Sequence, residues 1–208
     1  MKYSIQTLLL MMVFISFLGW IVENSWLAFT KGFIDNRNMR LPFLFGYGMF
    51  MFVLFVIFQT PSTMPFAFAK NCSHITQTII YLLIMMVLVS IGEIILGTFV
   101  EKFFGFEYWN YEAIPLHFTK YTSLPTSFGF SVIITFFMDN CMLPICDHIA
   151  VLSLKVQTIS ASILIALLSV DFVVSFYKMY QKHSLNTIWR AEINKEKIEE
   201  KWKKWRIS

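Results

Sequence analysis

Three carboxylates stand inside long apolar runs of this chain: Glu23, Glu93 and Asp171. An acid at the centre of a membrane helix costs roughly 3 kcal/mol on insertion scales. Three unpaired ones would therefore cancel much of the ~5–15 kcal/mol that stabilises an ordinary domain. Such groups must face one another, water or a ligand, and the chemistry open to them is binding of a proton, a cation or the cationic group of a solute. Helical spacing supplies faces for two of them. Gly19 precedes Glu23 by one turn, and Glu93, Gly97 and Glu101 follow one another along a single stripe. The competing reading is purely architectural: glycines at helix seams allow close approach, and a buried acid can simply bond a neighbouring helix.

Other reactive residues form weaker patterns. No nucleophile–base pair, HExxH run or paired-aspartate metal motif accompanies the acids, so an enzyme is not expected. Cys72, His74, Cys141, Cys146, Asp147 and His148 match no zinc spacing, and neither a metal nor a cofactor is expected. Residues 103–121 carry eight aromatic side chains among Glu107, Glu112, His117 and Lys120. Rings with polar tips favour the headgroup level, which predicts an interfacial or re-entrant segment.

The elements that hold these residues follow from hydrophobicity. Apolar residues make up 57% and charged residues 14% of the 208, against about 45–50% and 25% in soluble domains. Apolar stretches at 5–29, 43–59, 75–100, 124–143 and 157–180 each approach the ~20 residues that carry a helix across a bilayer. Only helices satisfy their own backbone at these lengths. The fold class is therefore all-α: a polytopic membrane protein with five transmembrane helices, residues 1–181, and a C-terminal amphipathic helix in a basic cytoplasmic tail, residues 182–208. The first stretch exceeds a signal-peptide core and is expected to remain as a span. Pro125, Gly129 and Pro144 make the fourth stretch the one expected to break or re-enter.

Charge sets orientation. Lys2, Lys70 and Lys155 fall on one set of alternate loops, whereas the other 14 of the 17 Lys and Arg fall on the opposite set. The positive-inside rule then puts the N-terminus outside and the C-terminus in the cytoplasm of a multi-pass plasma-membrane protein. In that frame Glu23 and Glu93 lie in the cytoplasmic half, Asp171 is close enough for a shared polar cavity, and Asp139 lies nearer the outer face. In the tail, Ile198, Trp202 and Trp205 recur on one helical stripe flanked by Lys201, Lys203, Lys204 and Arg206. That pattern suits an anionic membrane surface or a cytoplasmic partner, with a solvated topogenic tail as the plainer alternative. Acids interrupt the basic run, so no nucleic-acid partner is expected.

The run from Phe17 through Gly19, Trp20 and Glu23, followed by Asn36-Arg37, Pro42 and Gly46-Tyr47-Gly48, resembles the opening of the bacterial putative ABC-transporter type IV permease family. Glu93, Glu101 and Trp109-Asn110-Tyr111 fall where that family has two acids and a Trp-Asp-Tyr. The chain departs from the pattern at Asn38 and Arg40, where glycines are expected, and at Asn110, where Asp is usual. The Asn-x-x-Gly-Arg turn before the fourth span is missing, with Lys120 standing in for its Arg.

The resemblance implies a permease-like subunit. No phosphate-cradling GxxxxGK[ST] run occurs in these residues, so an ATPase would be a separate chain. Five spans make a thin wall for a solute path, so a homodimer or a partner subunit is implied as well. The competing function is a non-transporting membrane scaffold or regulator whose tail recruits a cytoplasmic partner.

Overall fold

The computed structural model describes residues 2–193, so the amphipathic stripe of Ile198, Lys201, Trp202, Lys204 and Trp205 lies outside the described residues. Six helices follow in order: α1 (Ile5–Lys31), α2 (Phe45–Phe58), α3 (His74–Phe104), α4 (Leu124–Asn140), α5 (Met142–Ala150) and α6 (Leu154–Lys182). Two small antiparallel ribbons join them. Strand β1 (Phe33–Asp35) pairs with β4 (Arg190–Glu192), and β2 (His117–Thr119) pairs with β3 (Thr122–Ser123).

Serine opens each of the long helices. The hydroxyls of Ser4, Ser73, Ser123 and Ser153 accept the backbone N–H three residues on, satisfying a donor that the first turn leaves free. At the other ends Gly32 and Gly105 take left-handed φ values of 74° and 75° and close α1 and α3.

Three helices, α1, α3 and α6, are long and apolar enough to cross a membrane, and α4 with α5 makes a fourth if the bent pair is one span. The chain is thus a multi-pass membrane protein. The 45° bend sits at Cys141, three residues before Pro144, whose missing N–H and ring disfavour a continuous helix there. The second apolar stretch differs most from its expected length. Its helix holds 14 residues, about 21 Å at 1.5 Å per residue, which is shorter than the hydrocarbon core.

The remaining length is covered by non-helical chain. Leu44 N–H donates to Ser16 O, 2.8 Å away near the middle of α1. Residues 33–44 therefore descend alongside the C-terminal half of α1, about 22 Å of axis, before α2 begins. From there α2 runs antiparallel to α1. Gly48 permits the contact, because a Cβ at that position would collide with Met12 O and Ser16 Oγ.

Helices α1, α3 and α6 run in one direction. Thr7 Oγ1 donates to Gln157 Oε1 at 2.8 Å at the start of α1 and α6, and His183 Nδ1 donates to Phe104 O at 2.7 Å where α6 and α3 end. Helix α4 runs the opposite way against α3, with Ser127 beside Ser90 and Asp139 beside Thr78. A methionine-rich core of Met11, Met85, Met138 and Met142 with Leu8 and Tyr81 fills the end near the α1 N-terminus, where flexible thioethers accommodate irregular helix junctions. Glu23, Glu93 and their hydroxyl partners lie toward the other end.

The first part of the expected tail is folded against this bundle. Residues 190–192 form β4 on β1, and Asn186 and Ile188 donate backbone N–H bonds to Asn38 Oδ1 and Asn36 Oδ1 at 2.9 and 2.8 Å.

Candidate functional site

Glu23 lies two turns before the end of α1, beside the first turn of α2. A Cβ at Gly19 would come within 2.8 Å of Tyr47 Cβ, so glycine makes room for the Tyr47 ring. The Tyr47 hydroxyl donates to Glu23 Oε1. On the other side stands Arg37, 3.5 Å from Glu23 and 3.9 Å from the buried Asp35, with its guanidinium 5.9 Å from the centre of the Tyr108 ring. Arg37 is placed by a tight turn. Asn36 O accepts from Met39 N–H at 3.0 Å, and Arg37 and Asn38 both have left-handed φ values, 46° and 70°. Only glycine and a few polar residues adopt that region at low cost, which explains why the family's glycine can be replaced here by asparagine.

Glu93 enters from α3. Its Oε2 accepts from Thr122 Oγ1 at 2.8 Å and from Ser127 Oγ at 3.3 Å, and the Tyr111 phenol faces the same carboxylate. Burial, followed by the negative charges of Glu93 and Glu23, raises the Tyr111 phenol well above its ordinary range. Burial likewise pushes Tyr108 up to about 12, with Arg37 pulling it partway back. Both phenols therefore stay protonated at neutral pH, and that of Tyr111 donates to Glu93. Tyr111 thus serves Glu93 and also feels the charge of Glu23 on the parallel helix α1.

The tyrosines are delivered by residues 105–123, which fold back over the polar cluster as a lid. The stripe of Glu93, Gly97 and Glu101 docks this lid, with Ser127 of α4 reaching Glu93 as well. Gly97 packs directly beneath the Tyr121 ring, where any Cβ would collide, and the Tyr121 hydroxyl donates to Glu101 Oε2. Lys120 bridges Glu101 at 2.6 Å and Glu107 at 2.8 Å. Those bonds, to Glu101 first, raise the Lys120 ammonium above its usual range. Lys120 also draws the Glu107 carboxyl below its usual range, with help from Asn110. Within the Trp-Asn-Tyr run, Trp109 Nε1 donates to Tyr121 O at 2.9 Å. Asn110 Nδ2 donates to Glu107 at 2.9 Å, while its Oδ1 accepts from Glu112 N–H at 2.8 Å. The asparagine thus makes the turn bond that Asp would make and adds a donor.

Asp171 has another task. Both its oxygens accept from Arg40 N–H at 3.1 Å, Oδ2 also accepts from Leu41 N–H at 2.9 Å, and Ser175 Oγ donates to Oδ1 at 3.3 Å. The third intramembrane acid therefore caps the non-helical descent just before Pro42. It satisfies donors that would otherwise be bare among apolar helices.

Glu23 and Glu93 are thus brought to one cluster, Glu101 secures its lid, and Asp171 supports the chain beside it. The motif residues Gly19, Asn36, Arg37, Pro42, Gly48, Trp109, Asn110 and Tyr111 all bear on this end of the molecule. Trp20 does too, through its ring 6.4 Å from Trp189. Sequence reasoning missed Tyr47, Thr122 and Ser127 as partners of the acids, and Asp35 and Tyr108 as neighbours of Arg37. The Gly-Tyr-Gly run was a usable signal for Tyr47, because a polar-tipped ring between two glycines at a span entrance must reach a polar neighbour.

No metal-binding group of three or more His, Cys, Asp or Glu side chains occurs among the described residues. No curated protein and no solved structure matches the chain. A profile described as putative ABC-transporter type IV matches residues 10–176, covering the lid, both acids and the capped descent, and the chain belongs to that family.

Proposed function

We propose that this protein is the membrane subunit of a transport system, with Glu23 and Glu93 as its cation-binding carboxylates beneath the 105–123 lid. The observation that carries this reading is that the two acids, on parallel helices, are met toward the same end of the bundle by side-chain hydroxyls, Tyr47 for Glu23 and Thr122 with Ser127 for Glu93. Asp171, by contrast, has its acceptors filled by backbone. Arg37 acts as a tethered cation that neutralises Glu23 when no solute is present, and its long contacts leave it free to move aside. Energy comes from a separate ATPase chain, and a second copy or a partner subunit completes the wall of the path. The protein itself performs no covalent chemistry.

The chain crosses the bilayer five times in this reading, with the 33–44 descent plus α2 as the second crossing. The N-terminus is outside and the Glu23–Glu93 end faces the cytoplasm, as the distribution of Lys and Arg indicates. Single cysteines placed at Lys70 and Lys155 in a cysteine-free background are expected to react with an impermeant maleimide in intact cells. A cysteine at Arg190 is expected to react only after permeabilisation, and external labelling there reverses the orientation. The carboxylate site is tested by thermal shift of the purified protein against a panel of ammonium and guanidinium solutes. Saturating cations should raise the melting temperature of the wild type, and Glu93→Gln should abolish that response while still inserting and folding. No response to any cation in the wild type refutes the cation site.

A further inference from the structure

On α4, Ser127, Ser131, Thr135 and Asp139 follow one another at four-residue intervals, about 6 Å apart along the axis. The three hydroxyl residues are almost wholly buried, at 1%, 0% and 3% exposure. Both ends of the stripe face α3. At one end Ser127 Oγ lies 2.9 Å from Ser90 Oγ and 2.9 Å from Thr122 Oγ1, and both Ser127 and Thr122 donate to Glu93. At the other, Asp139 accepts from Thr78 Oγ1 at 3.3 Å and lies 3.1 Å from Nε2 of the exposed His74.

Between these ends Thr135 Oγ1 is buried without a hydrogen-bond partner. A buried hydroxyl left unsatisfied is costly, by about 1–3 kcal/mol, and the usual remedy in a polar seam is an internal water. The spacing suits that remedy. One water making two hydrogen bonds of about 2.8 Å spans the ~6 Å between successive hydroxyls.

We infer that the α3–α4 seam is a proton path, in which waters between Ser127, Ser131 and Thr135 connect Asp139 and His74 at one end to Glu93 at the other. A proton arriving at Asp139 passes to the first water, and each hydroxyl or water accepts one proton while releasing its own to the next, Ser131 turning its proton away from Phe128 O, to which it donates at 2.8 Å. Glu93 takes up the last proton and gives it up through its hydroxyl partners to water at that end, so that the path resets and no group in the seam keeps a net charge. The inference rests on the reading of Glu93 as a working carboxylate and adds a coupling ion to it. It also accounts for Asp139, an acid of the apolar stretches that the carboxylate cluster leaves unused.

The test uses the full-length protein in liposomes containing a pH-sensitive dye, with proton entry driven by a potassium diffusion potential. Wild type and Thr135→Ser should acidify the lumen faster than empty liposomes. Thr135→Val should lower the rate about tenfold, the effect of losing one relay hydrogen bond. Valine keeps the shape of threonine and removes only the hydroxyl, so Thr135→Val should still melt cooperatively close to the wild-type temperature, which separates loss of the path from misfolding. Wild-type flux equal to that of empty liposomes overturns the inference, and so does unchanged flux in Thr135→Val. A cation thermal shift that depends on Glu93, with no proton flux in the wild type, overturns the path and leaves the solute site standing. Flux without any cation response does the reverse.

Discussion

Replacing Asp171 by Asn separates a capping role from a transport role. The carboxylate accepts from Arg40 N–H through both oxygens and from Leu41 N–H at 2.9 Å, with Ser175 as a further donor. Asparagine has one acceptor oxygen, and its amide NH₂ would meet a backbone N–H, so at least one buried donor loses its partner. A lost charge-assisted bond is worth about 1.5–3 kcal/mol, and an orphaned buried N–H costs about 1–3 kcal/mol. Removal of a buried charge returns part of this. The net expectation is a loss of about 2–3 kcal/mol, or on the order of 5–10 °C in melting temperature for a chain of this size. Detergent-purified Asp171→Asn and wild type can be compared by thermal melting monitored on size-exclusion chromatography, alongside the cation shift. Below its melting point Asp171→Asn should still respond to cations. A variant that melts with the wild type but has lost the cation response would refute the capping argument and return Asp171 to the carboxylate site.

Two further outcomes follow from the lid and the descent. Asn38→Ala should destabilise more than Asn38→Gly, by about 1–2 kcal/mol in a denaturation series, because both lose the bond to Asn186 N–H but only alanine strains the left-handed φ of 70°; equal losses would remove strain from the explanation. Glu107 has its folded pKa lowered by Lys120 and then Asn110, so its contribution to lid docking is fully present above the ordinary glutamate value of ~4.3 and is lost as pH falls through the folded value. Amide exchange of residues 107–120, corrected for intrinsic pH effects, should therefore accelerate in that acid range for the wild type and be fast at every pH in Lys120→Met.

The length of the apolar stretches was enough to locate the long helices α1, α3 and α6, because burial in lipid leaves few polar interruptions. Their ends lay in a signal that hydropathy does not carry, the four Ser caps and the left-handed glycines at 32 and 105, so α3 and α6 begin earlier and end later than the apolar stretches that mark them. What the sequence concealed was the descent at residues 33–44. Composition cannot distinguish an apolar helix of full length from a shorter one preceded by non-helical chain, since both place similar residues at similar depth. The distinction lies in where backbone donors find acceptors, and here the acceptors are remote: Asp171 on α6 for Arg40 and Leu41, and Ser16 on α1 for Leu44.

The same reasoning explains why three similar-looking acids divide into two kinds. An intramembrane carboxylate signals a demand for hydrogen-bond acceptance, but the demand can come from solute or from backbone. Asp171 stands against a break in the helical pattern ending at Pro42 and takes its backbone N–H groups, whereas Glu23 and Glu93 are met by side chains, Tyr47 and Arg37 for Glu23 and Thr122 with Ser127 for Glu93. Hydroxyl donors rotate and exchange protons, and backbone N–H groups in a fixed loop do not. The acids held by hydroxyls are therefore the ones able to change partners as a cation or proton arrives, and the acid held by backbone is the one the fold needs in a single state.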